Sequence, residues 1–147
     1  MMKNKNIAPL VGLTVFLTAC SAETVSTVDQ TDQRGSSAEQ QVEQRAKARW
    51  RDLLAEEWFA AYEYATPAYK ETTPIDIYSV HLRTTNVRWK SADFKGVECS
   101  SEQVCTTKFL VNYLVVQPSR GVGEVPGRTT VDEQWLKVEG EWYHVEE

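Results

Sequence analysis

Cysteine and histidine, the side chains most often used for thiol and transition-metal chemistry, are few here: three cysteines and two histidines in 147 residues. Cys99 and Cys105 bracket the segment "CSSEQVC", and Cys20 stands far from both. A metal centre needs more ligands than one close pair supplies. No second close pair of Cys or His occurs, and His81 and His144 stand alone. The stretch "GVGEVPG" has the glycines of a phosphate-binding loop but not the Lys-Ser/Thr that completes one. Neither a Gly-x-Ser-x-Gly elbow nor a His-Glu-x-x-His metal helix is present. No metal and no cofactor are therefore expected. An odd cysteine count leaves the spare thiol to be explained.

Cys20 supplies an explanation. The chain opens with Lys3 and Lys5, and residues 7–19 are apolar apart from two threonines. That run is too short for a bilayer span, which needs about 20 residues. A basic head and a short apolar stretch describe an export signal. Its last four residues, Leu17-Thr18-Ala19-Cys20, resemble the lipobox of bacterial lipoproteins. The resemblance implies that residues 1–19 are a signal peptide removed in the cell. It also implies that Cys20 carries diacylglycerol and becomes the new N-terminus. One acyl chain holds a protein only marginally at a membrane, whereas two or more hold it stably. The resemblance also implies that Ser21, where an Asp would signal retention in the inner membrane, favours the outer membrane of a host that has one, with the domain facing the periplasm. Lipidation of Cys20 leaves Cys99 and Cys105 as a pair. An oxidising compartment favours a disulfide between them, ahead of free thiols and of a metal site.

The formal net charge is -5, and loss of Lys3 and Lys5 would make the chain more acidic. Nucleic-acid binding needs a basic face to displace counterions, so that class is excluded. The chain beyond residue 19 is long enough for one domain with a core of its own. Five tryptophans and six tyrosines should fill most of that core, and they also suit a ligand cavity.

Residues 20–36 are polar and read as a flexible tether. A domain over 37–147 comes next. Ser37 and Gln40 fit a capping box. Val42, Ala46, Trp50, Leu53, Leu54, Trp58, Ala61, Tyr62 and Ala65 then recur at three- and four-residue steps, predicting one helix of about seven turns. Thr66-Pro67 and Thr73-Pro74 each predict a short helix, capped by Thr and begun by Pro. Ile77, Val80 and Leu82 are expected to dock the second of these. After Asn86 the pattern turns to strands. "VRWKS" alternates, "VCTTKFLVNYLVVQ" is apolar on both parities over 109–116, and "TTVDEQWLKVEGEWYHV" reads as a hairpin turning at Glu139-Gly140. The ten residues "PSRGVGEVPG" read as a long loop.

This order gives an α+β domain: a long N-terminal helix and short helices on one face of a curved antiparallel sheet of at least four strands. "WFAAYEYATPAYK", "TTKFLVNYLVV" and the closing "QWLKVEGEWYHV" resemble the nuclear transport factor 2-like superfamily, a cone-shaped fold. The resemblance covers residues 37–146. It implies a fold that hosts enzymes, binders and assembly domains alike. Enzymes of this group place an Asp, often with a His or Tyr, in the mouth of the cone. The candidates here are Asp76, Asp93, Asp132, His81, His144, Tyr62 and Tyr113, and no motif carries the catalytic residues across. Tyr62, Tyr113, Trp135 and His144 are expected to line a cavity. Two functions are expected on this basis. The first is a non-catalytic, membrane-anchored binding or assembly module, homodimeric through the sheet face or engaging an envelope protein. The alternative is a small-molecule binder or an isomerase/dehydratase-like enzyme. An enzyme would need an open cavity with a buried carboxylate beside His144 or a tyrosine.

Overall fold

A computed structural model of the chain describes residues 30–117 and 123–146. The expected signal peptide, Cys20 and the expected tether up to residue 29 lie outside them. Four helices come first: α1 (Gln30–Leu54), α2 (Trp58–Tyr62), α3 (Pro67–Thr72) and α4 (Ile75–Thr84). Four strands come after them: β1 (Val87–Ser101), β2 (Val104–Gln117), β3 (Gly123–Val138) and β4 (Glu141–His144). The strands form one antiparallel sheet in the order β1-β2-β3-β4.

The expected single helix breaks in two. A glycine-free stop ends α1 after Leu54. The Glu57 amide donates to the Asp52 carbonyl at 2.9 Å and the Glu56 amide to Leu53 at 3.2 Å. Glu56 sits at φ 59°, in the left-handed region. This is the double hydrogen bond of a Schellman cap, normally made with glycine. Because Glu fills the position, the sequence carries no stop signal, and Trp58, Ala61 and Tyr62 continue the stripe on α2 after a corner. At the other end, α1 begins at Gln30, inside the stretch expected as tether. Ser37 is therefore an interior position, accepting a bond from Gln41 one turn on, rather than an N-cap.

Thr66 caps α3 as expected, its hydroxyl accepting from the Tyr69 amide at 3.2 Å, with Pro67 in the first turn. Thr73 does not cap α4. Pro74 holds that position, without a side-chain bond. The docking face of α4 is corrected in part: Leu82 packs against the core as expected, but the other two residues do not. Ile77 and Val80 are 61% and 51% exposed, while Tyr78 and Ser79 are buried. Tyr78 turns inward because its ring packs on Tyr62 at 5.2 Å and Tyr69 at 6.4 Å.

β2 is central, as its double-sided apolar pattern requires, and Phe109 and Val111 are fully buried. β3 begins earlier than expected: Gly123 to Gly127 pair with Gln117 to Tyr113, so half of the supposed loop is strand. Pro126 is tolerated there because β4 covers only Trp135 to Val138, leaving that edge of β3 without a strand partner. The β3–β4 turn falls on Glu139 and Gly140, both at positive φ, as expected. Cys99 and Cys105 face each other across the β1–β2 hairpin and form a disulfide.

The core lies between α1 and the concave face of the sheet. Val42, Ala46, Trp50 and Leu53 of α1 meet Phe109, Val111, Trp135 and Trp142. Trp50 packs on Trp89 and Phe109, each at 5.7 Å between centroids. The chain after α2 closes the far end. Ala65 bridges to His144, whose amide donates to the Tyr64 carbonyl at 2.7 Å.

Candidate functional site

β3 and the segment leaving β4 bring three charged or titratable groups together under α1. Glu133 points inward from β3 on the same face as Val131 and Trp135, obeying the two-residue strand period. His144 ends β4 opposite Trp135, and Glu146 lies two residues further on. Arg49, on the buried face of α1 beside Trp50, reaches both carboxylates. Its Nη1 donates to Glu133 Oε1 at 2.8 Å and its Nη2 to Glu146 Oε1 at 2.9 Å. Arg49 and Glu133 are only 6% and 4% exposed.

His144 lies between the two carboxylates. Nε2 is 3.7 Å from Glu133 Oε1, and Nδ1 is 3.1 Å from Glu146 Oε1, close enough for an ion pair but off the line of a hydrogen bond. Thr107 donates its hydroxyl to Glu133 Oε2 at 3.4 Å and accepts from Trp135 Nε1 at 3.2 Å. Each charge is thus placed opposite another, the condition under which buried charge is tolerated.

That placement sets the electrostatics. Burial opposes the charge on Arg49, but Glu133 and then Glu146 more than offset it and its pKa is raised. Burial would raise the Glu146 carboxyl. Contact with His144 and the charge of Arg49 outweigh it and hold the carboxyl down at about 2. Tyr78, near Arg49 and Glu146, is pushed well above the ordinary phenol value, chiefly by burial.

Above this cluster is a cavity of about 500 Å³. Its walls combine Trp50, Leu53, Trp89 and Val131 with Arg49 and His144, and α4 contributes Ile77, Tyr78 and His81 to the opposite side. A volume of this size is ordinary for a small-molecule site.

Of the residues expected to line a cavity, His144 borders this one, and Trp135, Tyr62 and Tyr113 do not. Trp135 is fully buried core, edge-on to His144 at 5.6 Å. Tyr62 lies behind Tyr78, and its hydroxyl donates to the Thr73 carbonyl at 2.6 Å. Tyr113 is spent in the sheet, where its ring covers Gly127 of β3. Of the other candidates, Asp76 is exposed in the first turn of α4, and Asp93 is exposed on β1. Asp132 is an exposed rim residue 3.8 Å from Lys108, and His81 is an exposed rim residue on α4.

Residue types and spacing alone do not single out Arg49, Glu133, Glu146 or Tyr78. One signal is present for the first of them: Arg49 falls beside Trp50 on the apolar side of α1, where an arginine demands a partner. Among the described residues, no three His, Cys, Asp or Glu side chains are placed to hold a metal ion, and no helix is long and apolar enough to cross a membrane.

No family model matches the chain, and no curated protein does. Solved structures do. A protein assigned as a dehydratase of the NTF2-like family from Streptomyces avermitilis superposes with a TM-score of 0.52 at 12% identity, over 75% of this chain and 93% of that one. The fold is nuclear transport factor 2-like. A protein assigned as a polyketide cyclase from Xanthomonas campestris gives 0.47 at 10% identity, over 78% and 91%. A SEC-C motif protein from Rhodopseudomonas palustris gives 0.49 at 14%, over 67% and 70%. At 12% identity the likeness to the first of these concerns the backbone and not its chemistry.

Proposed function

We propose that this NTF2-like domain is a binding module that takes a small ligand in the cavity over Arg49, Glu133, His144 and Glu146. The observation that carries this reading is the cavity itself, about 500 Å³ with indole and aliphatic walls and a polar floor. Binding is favoured over turnover because neither carboxylate of the floor is free. A general base needs a carboxylate free to take a proton. Here the Glu133 and Glu146 carboxylates are both held by Arg49. An isomerase- or dehydratase-like enzyme is the second reading. It is favoured by one observation, the approach of His144 to both buried carboxylates.

The module is proposed to be carried on a lipid at Cys20, in a bacterial envelope, on the periplasmic face of the outer membrane. The lipobox-like residues support this. Self-association through the convex face of the sheet is the proposed partner contact. Leu110, Leu114 and Val116 supply half-buried apolar surface there.

Thermal-shift screening tests the ligand site. A panel of small ketones, carboxylic acids and amines is screened against the wild type and against Val131→Trp, which fills the cavity. Hits should raise the wild-type midpoint by several degrees and lose that effect in the variant. Equal shifts in both proteins would overturn the reading. Mass spectrometry of the cellular protein tests the anchor: an N-terminus at Cys20 with an acyl mass increment is expected, and residues 1–19 retained on unacylated protein would overturn it.

A further inference from the structure

A second and larger cavity, about 820 Å³, opens at the corner where α4 runs into β1. It lies on the other side of Leu53, Leu82 and Trp89, which border both cavities. Its charge is unlike that of the rest of the molecule. In a chain of net charge -5, it gathers Arg83, Arg88 and Lys90 against the single carboxylate of Glu56. Trp58 and Trp89, with Leu53 and Leu54, give it an apolar side.

The local backbone explains how Lys90 comes to border the cavity near Arg83, whereas Arg88, regularly paired with Leu114 and turned towards Glu124, borders it from the sheet edge. On a regular strand, neighbouring side chains point to opposite faces. Val87, Arg88, Trp89 and Lys90 nevertheless all border this one cavity. β1 is an edge strand, and its register with β2 slips between Trp89 and Ser91, leaving Lys90 unpaired. A bulge of this kind re-aims a side chain and is common beside functional sites. The cations are also weakly committed. Neither Arg83 nor Lys90 has a carboxylate partner among the described residues; Arg83 is steadied by Ser79, donating from Nε to its carbonyl at 3.1 Å and from Nη2 to its hydroxyl at 2.9 Å. Arg88 meets Glu124 at 3.4 Å, with both side chains largely in water, an arrangement that contributes little.

We infer that this corner is a second binding site, for a ligand that joins a phosphate group to an apolar body. Arg83, Arg88 and Lys90 take the phosphate, since cations at hydrogen-bond range of an anion make the strongest polar contacts available. Trp58 and Trp89 take the apolar part. The same chemistry is presented by a free alkyl phosphate and by a phospholipid headgroup. The inference does not rest on the function proposed for the first cavity, because none of these three cations borders that cavity.

The test uses hexyl phosphate as probe, with hexanol and inorganic phosphate as controls and tryptophan fluorescence as readout. Hexyl phosphate should bind, and hexanol should not at the same concentration. The double variant Arg88→Gln/Lys90→Gln should weaken binding at least about tenfold, the loss expected from removing contacts to a charged group. Both side chains are exposed, so the fold should survive, and Lys108→Gln on the convex face should leave affinity unchanged. Co-sedimentation with phosphatidylglycerol vesicles, lost in the same double variant, would assign the site to a lipid headgroup. Hexyl phosphate binding without vesicle binding would assign it to a soluble ligand. Equal affinity of wild type and double variant for hexyl phosphate, or equal response to hexanol, would overturn the inference.

Discussion

Arg49 and Glu133 meet at 2.8 Å across 84 residues of chain, both almost fully buried. The pair ties the middle of α1 to the inner face of β3. A buried pair of this kind contributes little compared with well-packed apolar side chains, but breaking it strands a charge. Arg49→Met should therefore cost about 3–5 kcal/mol. Adding Glu133→Gln in the same chain should restore a substantial part. Urea denaturation of the two single variants and the double variant measures the coupling. Additive losses would show that Arg49 matters through packing alone.

Glu146 gives the fold a pH dependence with a definite sign. Its carboxyl sits at about 2 in the folded state, below the ordinary value of 4.5. The folded protein thus binds this proton less readily than the unfolded chain. The resulting stabilisation is complete above the unfolded value and is lost as pH falls from about 5 towards 2. It amounts to up to about 3 kcal/mol. Glu146→Gln should flatten that part of the stability–pH curve while lowering stability at pH 7. Parallel curves for wild type and variant would refute the assignment.

The secondary structure is legible in the sequence where periodicity and turn chemistry agree. β2 spans the segment its β-formers predict, and Gly140 marks the last turn. The C-terminus of α1 is not legible, because Glu56 does the work usually given to glycine. The inner face of α4 is also hidden. Its exposed Ile77 and buried Tyr78 reverse the usual preference, since Tyr62 and Tyr69 supply an aromatic bed that only tertiary structure assembles. The site is half legible. His144 stands out by its strand parity with Trp142. Glu133 and Glu146 look like ordinary surface acids in an acidic chain, because only the fold sets Arg49 opposite them.

Reduction of the Cys99–Cys105 disulfide should be mild. The two residues are six apart and already paired by the hairpin. Closing so short a loop restricts the unfolded chain little, and the chain-entropy estimate is about 2 kcal/mol. A Cys99→Ala/Cys105→Ala variant should remain folded with a lowered melting midpoint. Added reductant should lower the wild-type midpoint towards the variant's and leave the variant unchanged. Loss of the folded state would mean that the hairpin depends on the cross-link far more than its sequence span implies.

Gly127 and Tyr113 are register partners across β2 and β3, and the tyrosine ring fills the space that a Cβ on Gly127 would need. Gly127→Ala must therefore displace the ring, although alanine itself suits a strand better than glycine does. Overpacking of this kind costs about 1–3 kcal/mol. Tyr113→Ala should cost stability alone, by uncovering the sheet, and should make Gly127→Ala harmless or favourable when the two are combined. Thermal denaturation of the four proteins in this cycle reads the coupling directly. If Gly127→Ala were equally destabilising in the presence and absence of the Tyr113 ring, the glycine would be required for its backbone rather than for the ring it accommodates.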